Sequence, residues 1–134
     1  MKKLLSTPKH STPRVLLIED DDQTRRMLRE ALESQGYAVL ESVNGKEGLS
    51  MFQAQPVDLV ICDLVMPEKG GISTIQELGK LAPNLKIIAI SGYSRAMGEN
   101  TLEYTRRLGT MGTMPKPFAL SEMMIMVNKA ISTH

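Results

Sequence analysis

Five short apolar runs, separated by longer amphipathic segments, constrain the fold of this 134-residue chain more than any other feature. Each run is rich in Val, Leu or Ile, and short continuous runs of this kind are typical of parallel strands covered on both faces. The sequence predicts strands within residues 15–18, 38–40, 57–62, 85–90 and 110–114.

The segments between the runs carry the spacing and end signals of helices. Apolar residues recur at helical spacing between residues 24 and 32, and Gly36 follows as a stop signal. Asn44 and Glu47 have the spacing of a capping box, which opens a second helix. Further helices are predicted over residues 72–81, 94–108 and 119–131.

Strands that alternate with helices indicate an α/β domain, because parallel neighbours need crossover connections. Right-handed crossovers place helices on both faces of the sheet. We therefore expect one domain over residues 14–134, preceded by a flexible tail over residues 1–13, where Lys, Ser, Thr and Pro dominate.

Composition excludes several classes of function. The 16 Lys and Arg residues nearly balance the 15 Asp and Glu residues, so a nucleic-acid partner is not expected. A single cysteine, Cys62, excludes an internal disulfide and a metal site built from cysteines. No apolar run is long enough for a secretory signal or a membrane span, so we expect a cytoplasmic protein without membrane contact.

Polar residues follow four of the five apolar runs. Glu19 and Asp20 follow the first run, Asp63 the third, Ser91 the fourth and Lys116 the fifth. These residues are expected to converge, because the carboxyl ends of parallel strands share one edge of the sheet. Carboxylates packed together need a cation to stay ionised, and oxygen ligands without His or Cys favour Mg²⁺.

Such a site has the parts that phosphoryl transfer requires. A carboxylate beside Mg²⁺ can attack phosphorus and become an aspartyl phosphate. A lysine and a hydroxyl can neutralise charge on the phosphoryl oxygens. No general base is needed, because the nucleophile is already an anion.

The order and spacing of these residues resemble the receiver domain of bacterial two-component response regulators, in the stand-alone form of the chemotaxis regulators. The resemblance extends from residue 14 to about residue 132. It implies a flavodoxin-like (βα)5 fold with strand order 2-1-3-4-5 and a cis Lys116–Pro117 bond. The matched positions are the acid pair Glu19-Asp20, the phosphoacceptor Asp63 in Asp-Leu-Val-Met-Pro, the loop glycine Gly71, the hydroxyl residue Ser91, and Lys116 in Lys-Pro-Phe.

The resemblance also implies a role for each site residue. Asp20 and Asp63 would bind Mg²⁺ through their carboxylates, Glu19 directly or through water, and Val65 through its main-chain carbonyl. Asp63 would accept the phosphoryl group from a sensor histidine kinase or a histidine phosphotransfer protein. In the same resemblance, Lys116 and Ser91 would hold the phosphoryl oxygens.

The expected function is a single-domain response regulator that signals by altered partner binding and catalyses at most its own phosphorylation and dephosphorylation, so it is not an enzyme in the usual sense. Two alternatives stay open. The first alternative is a receiver excised from a larger hybrid kinase or regulator. The second is a degenerate receiver that acts as a phosphorylation-independent interaction module. Thr113 stands where the family often has an aromatic switch residue, and threonine is too small for a ring flip.

Two surface features point to partners. Arg25, Arg26 and Arg29 cluster on the first predicted helix. A solvated basic face is the default interpretation, and the resemblance implies a surface for the kinase as the alternative. Ile125 and Met126 lie outside the apolar stripe that the last predicted helix should turn toward the sheet. One interpretation is that flexible methionines fill an irregular core. The other, which the resemblance implies, is that the fourth helix, fifth strand and fifth helix form a face for a downstream target or a homodimer.

Overall fold

The computed structural model describes residues 12–66, 70–91 and 110–132. The predicted fourth helix, residues 94–108, and residues 1–11 of the predicted tail lie outside this part of the chain. Within it, the elements in chain order are β1 (Arg14–Ile18), α1 (Asp22–Ser34), β2 (Ala38–Ser42), α2 (Gly45–Ala54), β3 (Leu59–Asp63), α3 (Gly71–Leu81), β4 (Ile87–Ser91), β5 (Gly112–Pro115) and α4 (Leu120–Ser132).

All neighbouring strands are parallel, in the order β2–β1–β3–β4–β5. This order confirms the predicted flavodoxin-like α/β fold. Ile18 pairs with Ser42 on one side and with Cys62 on the other, and Asp63 pairs with Ile90. The carboxyl ends of β1 and β3 therefore lie where the strand order reverses. Ligands bind at this position in sheets of this kind.

Helices cover both faces of the sheet, as the alternation of buried strand residues requires. Val15 and Leu17 pack in one core layer with α1 and α4, whereas Leu16 and Ile18 pack in the other with α2 and α3. All four side chains are fully buried, and burying one such side chain contributes about 1.5–3 kcal/mol. None of the helices α1 to α4 has the length and hydropathy of a membrane span.

The first two helices begin at side-chain caps, the second of which the sequence predicts. The Asp21 carboxylate accepts a hydrogen bond from the Thr24 N–H at 2.8 Å, and Asn44 Oδ1 accepts one from the Glu47 N–H at 2.8 Å. The Glu47 carboxylate reaches the N–H of Val43 at 3.0 Å. The predicted capping box therefore closes one residue before its usual place, on Val43 in place of Asn44.

Helix α4 turns most of its predicted stripe toward the sheet. Met123, Met124 and Val127 are buried, and Ile125 is 68% exposed, as expected. The prediction that Met126 lies outside the packed face is wrong, because Met126 is half-buried against the core. Its sulfur occupies the space beside Gly112, which has no side chain of its own.

Gly48 and Gly79 offer a matched test of the packing of α2 against β1. A β-carbon at Gly48 would lie 2.6 Å from Ile18 Cδ1, whereas at Gly79 nothing lies within 4 Å. Gly79→Ala should raise the free energy of unfolding by about 0.5–1 kcal/mol, the usual gain inside a helix. Gly48→Ala should lower it by about 1 kcal/mol or more, because the buried Ile18 must move. Urea denaturation followed by circular dichroism measures both variants, and equal stabilisation by both would contradict this packing.

Candidate active site

Three acids meet at the carboxyl edge of the sheet. Glu19 directly follows β1, Asp20 follows it, and Asp63 is the last residue of β3. One carboxylate oxygen from each lies within 4.8 Å of the other two. Glu19 and Asp63 are buried, whereas Asp20 is exposed, so the cluster opens to solvent on one side.

Asp63 is held by the main chain around it. Its Oδ1 accepts a hydrogen bond from the Val65 N–H at 3.0 Å, and the Leu64 N–H donates to the Ile90 carbonyl at 2.8 Å. Helix α3 begins directly against this segment, since a β-carbon at Gly71 would overlap the Asp63 carbonyl oxygen. A glycine is therefore required where α3 meets the end of β3.

Lys116, just after β5, reaches both buried acids. Its Nζ lies 3.1 Å from Asp63 Oδ2, 3.2 Å from Glu19 Oε2 and 3.0 Å from Glu19 Oε1. Burial alone would lower the pKa of Lys116, but the two carboxylates outweigh it and raise that pKa. The Lys116–Pro117 peptide bond is cis, as the resemblance implies.

The charged form of Glu19 is disfavoured by its surroundings. Only 1% of its surface is exposed, and burial, together with the nearby Asp63 carboxylate, raises its pKa to about 7. The Asp21 N–H, which donates to Oε2 at 3.0 Å, offsets part of this effect. Oε1 is buried and accepts no hydrogen bond from any described residue, although it has the ion pair with Lys116.

The buried oxygen and the donor set fit a magnesium ion. Three carboxylates face one ammonium group, so the ionised cluster has an excess of negative charge that a divalent cation would neutralise. Mg²⁺ binds one or two carboxylates and keeps several waters, which suits a cluster open to solvent at Asp20. Val65, two residues after Asp63, contacts the Asp63 carboxylate through its N–H, and its side chain is 49% exposed.

The remaining predicted residues also lie at this edge or lead to it. Ser91 ends β4, with its Cα paired with that of Pro115, so it is adjacent to the strand that leads into Lys116. Thr113, in the middle of β5, pairs with Ala89 and is half-buried.

Sequence reasoning missed the place of Arg25. Its guanidinium donates to the main-chain carbonyl of Glu19 at 2.8 Å, so it contacts the loop that carries two of the acids. The cluster of arginines on α1 is visible in the sequence, but it predicts a solvated or partner-binding surface and not a contact with the acid loop. Only the fold shows that Arg25 and Arg29 both pair with Glu41 of β2, while Arg26 is exposed.

The raised pKa of Glu19 predicts how stability depends on pH. The folded state binds this proton more tightly than the unfolded state, so stability falls as pH rises from about 4.5 to about 7. Without divalent cations, Glu19→Gln should therefore be more stable than the wild type near pH 8, by up to about 3 kcal/mol. The difference should shrink toward about pH 5.

Urea denaturation in EDTA at several pH values measures this difference. The matched control is Glu33→Gln on the exposed side of α1, which should change stability by less than about 0.5 kcal/mol at every pH. A Glu19→Gln protein that is less stable than the wild type near pH 8 would contradict the electrostatic cost assigned to Glu19.

Comparison with known proteins agrees with this fold. The chain is 36% identical over 119 residues to sensor kinase CckA of Brucella abortus, covering 87% of this chain but 12% of CckA. It is 33% identical over 118 residues to the response regulator receiver protein CpdR of the same species, covering 88% of this chain and 96% of CpdR. A CheY-like receiver domain protein from Methanospirillum hungatei has the same fold, with a TM-score of 0.85 at 22% identity over 91% of this chain and 95% of its own.

The family comparison covers most of the chain. The model of the response regulator receiver domain family matches residues 15–128, which include the five strands except Arg14, the acid cluster and Lys116. The chain therefore belongs to the family of response regulator receiver domains.

Proposed function

We propose that this receiver domain accepts a phosphoryl group on Asp63 in a reaction that depends on Mg²⁺, and that it signals by altered partner binding. The observation that supports this most strongly is the cluster at the sheet edge. Two buried acids, Glu19 and Asp63, share one ammonium group within 3.2 Å, beside the exposed carboxylate of Asp20. Burying two carboxylates lowers the stability of the folded protein, and such arrangements are found mainly at functional sites.

The proposed ligands of Mg²⁺ are the carboxylates of Asp20 and Asp63, with Glu19 bound directly or through water and Val65 through its main-chain carbonyl. When bound, Mg²⁺ neutralises charge on the phosphoryl oxygens and orients the phosphoryl group. The raised pKa of Glu19 means that protons compete with the metal for this carboxylate near neutral pH.

Asp63 supplies the nucleophile. A carboxylate oxygen attacks the phosphorus of a phosphohistidine. The new P–O bond forms as the P–N bond breaks, and the electron pair of the P–N bond stays on the imidazole nitrogen. The Val65 N–H, 3.0 Å from Oδ1, fixes the orientation of the carboxylate for this attack. No group of the protein has to remove a proton.

Lys116 and Ser91 are proposed to hold the transferred group. The Lys116 ammonium is already 3.1 Å from Asp63 Oδ2, so it is placed to pair with a phosphoryl oxygen on the same carboxylate. Ser91 is brought to this edge by the pairing of β4 with β5. Its contact with the phosphoryl group stays a prediction.

Receiver domains interact with histidine kinases and with downstream targets. For this chain we propose a sensor histidine kinase or a histidine phosphotransfer protein as the phosphodonor, in the cytoplasm. The target is proposed to bind near β5 and α4, where Met111 and Ile125 are exposed. Phosphorylation would shift a pre-existing equilibrium toward the binding form.

The oligomeric state, the length of the natural chain and the choice between a phosphorylated and a degenerate receiver stay predictions. The homodimer needs the predicted fourth helix, which lies outside the described residues, and the light-scattering mass of the phosphorylated protein tests it. The similarity to a part of CckA keeps open a receiver within a longer chain. The complete acid cluster favours a phosphorylated receiver over a degenerate interaction module.

Intact-protein mass spectrometry tests the proposal. After incubation with acetyl phosphate and Mg²⁺, the wild type should gain one phosphoryl group, and Asp63→Asn should gain none because its nucleophile is lost. Asp58→Asn is the matched control: Asp58 is exposed and accepts a hydrogen bond from the Arg14 N–H, and its variant should be phosphorylated like the wild type. Equal phosphorylation of wild type and Asp63→Asn would contradict the proposal.

A further inference from the structure

One guanidinium group closes the loop that carries the acid pair. Arg25 NH1 donates to the Glu19 carbonyl oxygen at 2.8 Å, where the loop begins, and NH2 contacts Asp22 Oδ1 at 2.5 Å, where α1 begins. The Arg25 side chain is 15% exposed and its contact with the Glu19 carbonyl is partly buried, whereas the Asp22 side chain is 81% exposed, so that contact lies at the surface. The two ends of the Glu19-to-Asp22 loop are thus held to a single planar group.

This group is itself anchored to the edge strand of the sheet. Arg25 Nε lies 3.3 Å from Glu41 Oε1, and Arg29 NH1 lies 3.1 Å from Glu41 Oε2. Glu41 is part of β2 and pairs with Leu17 of β1, two residues before Glu19. The guanidinium therefore has a further anchor on β2, outside the loop that it contacts.

Asp20 depends on this anchoring more than its neighbours do. The Glu19 carboxylate is held by Lys116 and by the Asp21 N–H, and the Asp21 carboxylate is held by Thr24. No hydrogen bond or ion pair to another described residue holds the Asp20 carboxylate. Its place beside Asp63 is determined by the main chain on either side of it, and the Arg25 guanidinium contacts the main chain at Glu19 and the side chain of Asp22.

We propose that Arg25 is a positioning residue for the acid cluster: by holding the Glu19 carbonyl and Asp22, it keeps the Asp20 and Glu19 carboxylates in place for a cation. This inference rests on the proposed function, since it takes the cluster to be the Mg²⁺ site. Partners that orient metal ligands in this way commonly change metal affinity by about 10- to 100-fold.

The charge of Arg25 and its positioning contacts should have opposite effects on Mg²⁺ affinity. A positive group near the acids disfavours a second cation, so removing the charge alone would strengthen Mg²⁺ binding. Lysine keeps the charge but lacks the planar fork that reaches Glu19, Asp22 and Glu41 together. Arg25→Lys therefore separates positioning from charge, and Arg26→Lys makes the same change at an exposed neighbour.

Calorimetric titration of the full chain with Mg²⁺ tests the proposal. Arg25→Lys should weaken Mg²⁺ binding by about tenfold relative to the wild type, whereas Arg26→Lys should stay within about twofold. Glu41→Gln should also weaken binding, because it releases the anchor of the guanidinium. Wild-type affinity in Arg25→Lys would overturn the proposal.

A second readout does not need the metal. Without Mg²⁺, amide hydrogen exchange followed by NMR should show loss of protection at the Asp21 N–H in Arg25→Lys and unchanged protection in Arg26→Lys. Unchanged protection in Arg25→Lys would show that Arg25 does not hold the loop. If the wild type itself fails to bind Mg²⁺, the metal role in the proposed function fails, and the exchange result still decides whether Arg25 orders the loop.

Discussion

The ion pairs of Lys116 with Glu19 and Asp63 connect three strand ends of this sheet. Glu19 follows β1, Asp63 ends β3 and Lys116 follows β5, so one ammonium group links the centre of the sheet to its edge. The pairing is incomplete, because one cation faces three carboxylates, two of them buried. Most of the chemistry proposed for the protein follows from this excess of negative charge.

The fold supports this charged cluster through contacts that leave little freedom. Gly71 brings the start of α3 against the main chain of Asp63, and the Val65 N–H orients its carboxylate. On the other side, Arg25 holds the loop that carries Glu19 and Asp20. Rigid placement matters because a protein that stabilises developing charge must hold its groups in place before the reaction begins.

Much of the fold and the acid cluster could be predicted from the sequence, because apolar runs mark parallel strands and their carboxyl ends share one edge. Features that depend on contacts between distant elements could not. Glu19 and Asp20 are neighbours in the chain, yet only Glu19 is buried. Met126 is half-buried because Gly112, on a different element, leaves space. Arg25 contacts Glu41, which lies near it because β2 pairs with β1.

Mapping the phosphorylated residue tests whether Asp63 is the phosphoryl acceptor. Borohydride reduces an aspartyl phosphate to homoserine, so peptide mass spectrometry after acetyl phosphate treatment locates the acceptor. We expect homoserine at position 63, formed with Mg²⁺ and absent when EDTA removes the metal. Homoserine at position 20 or elsewhere in place of position 63, or formation at position 63 that is unaffected by EDTA, would contradict it.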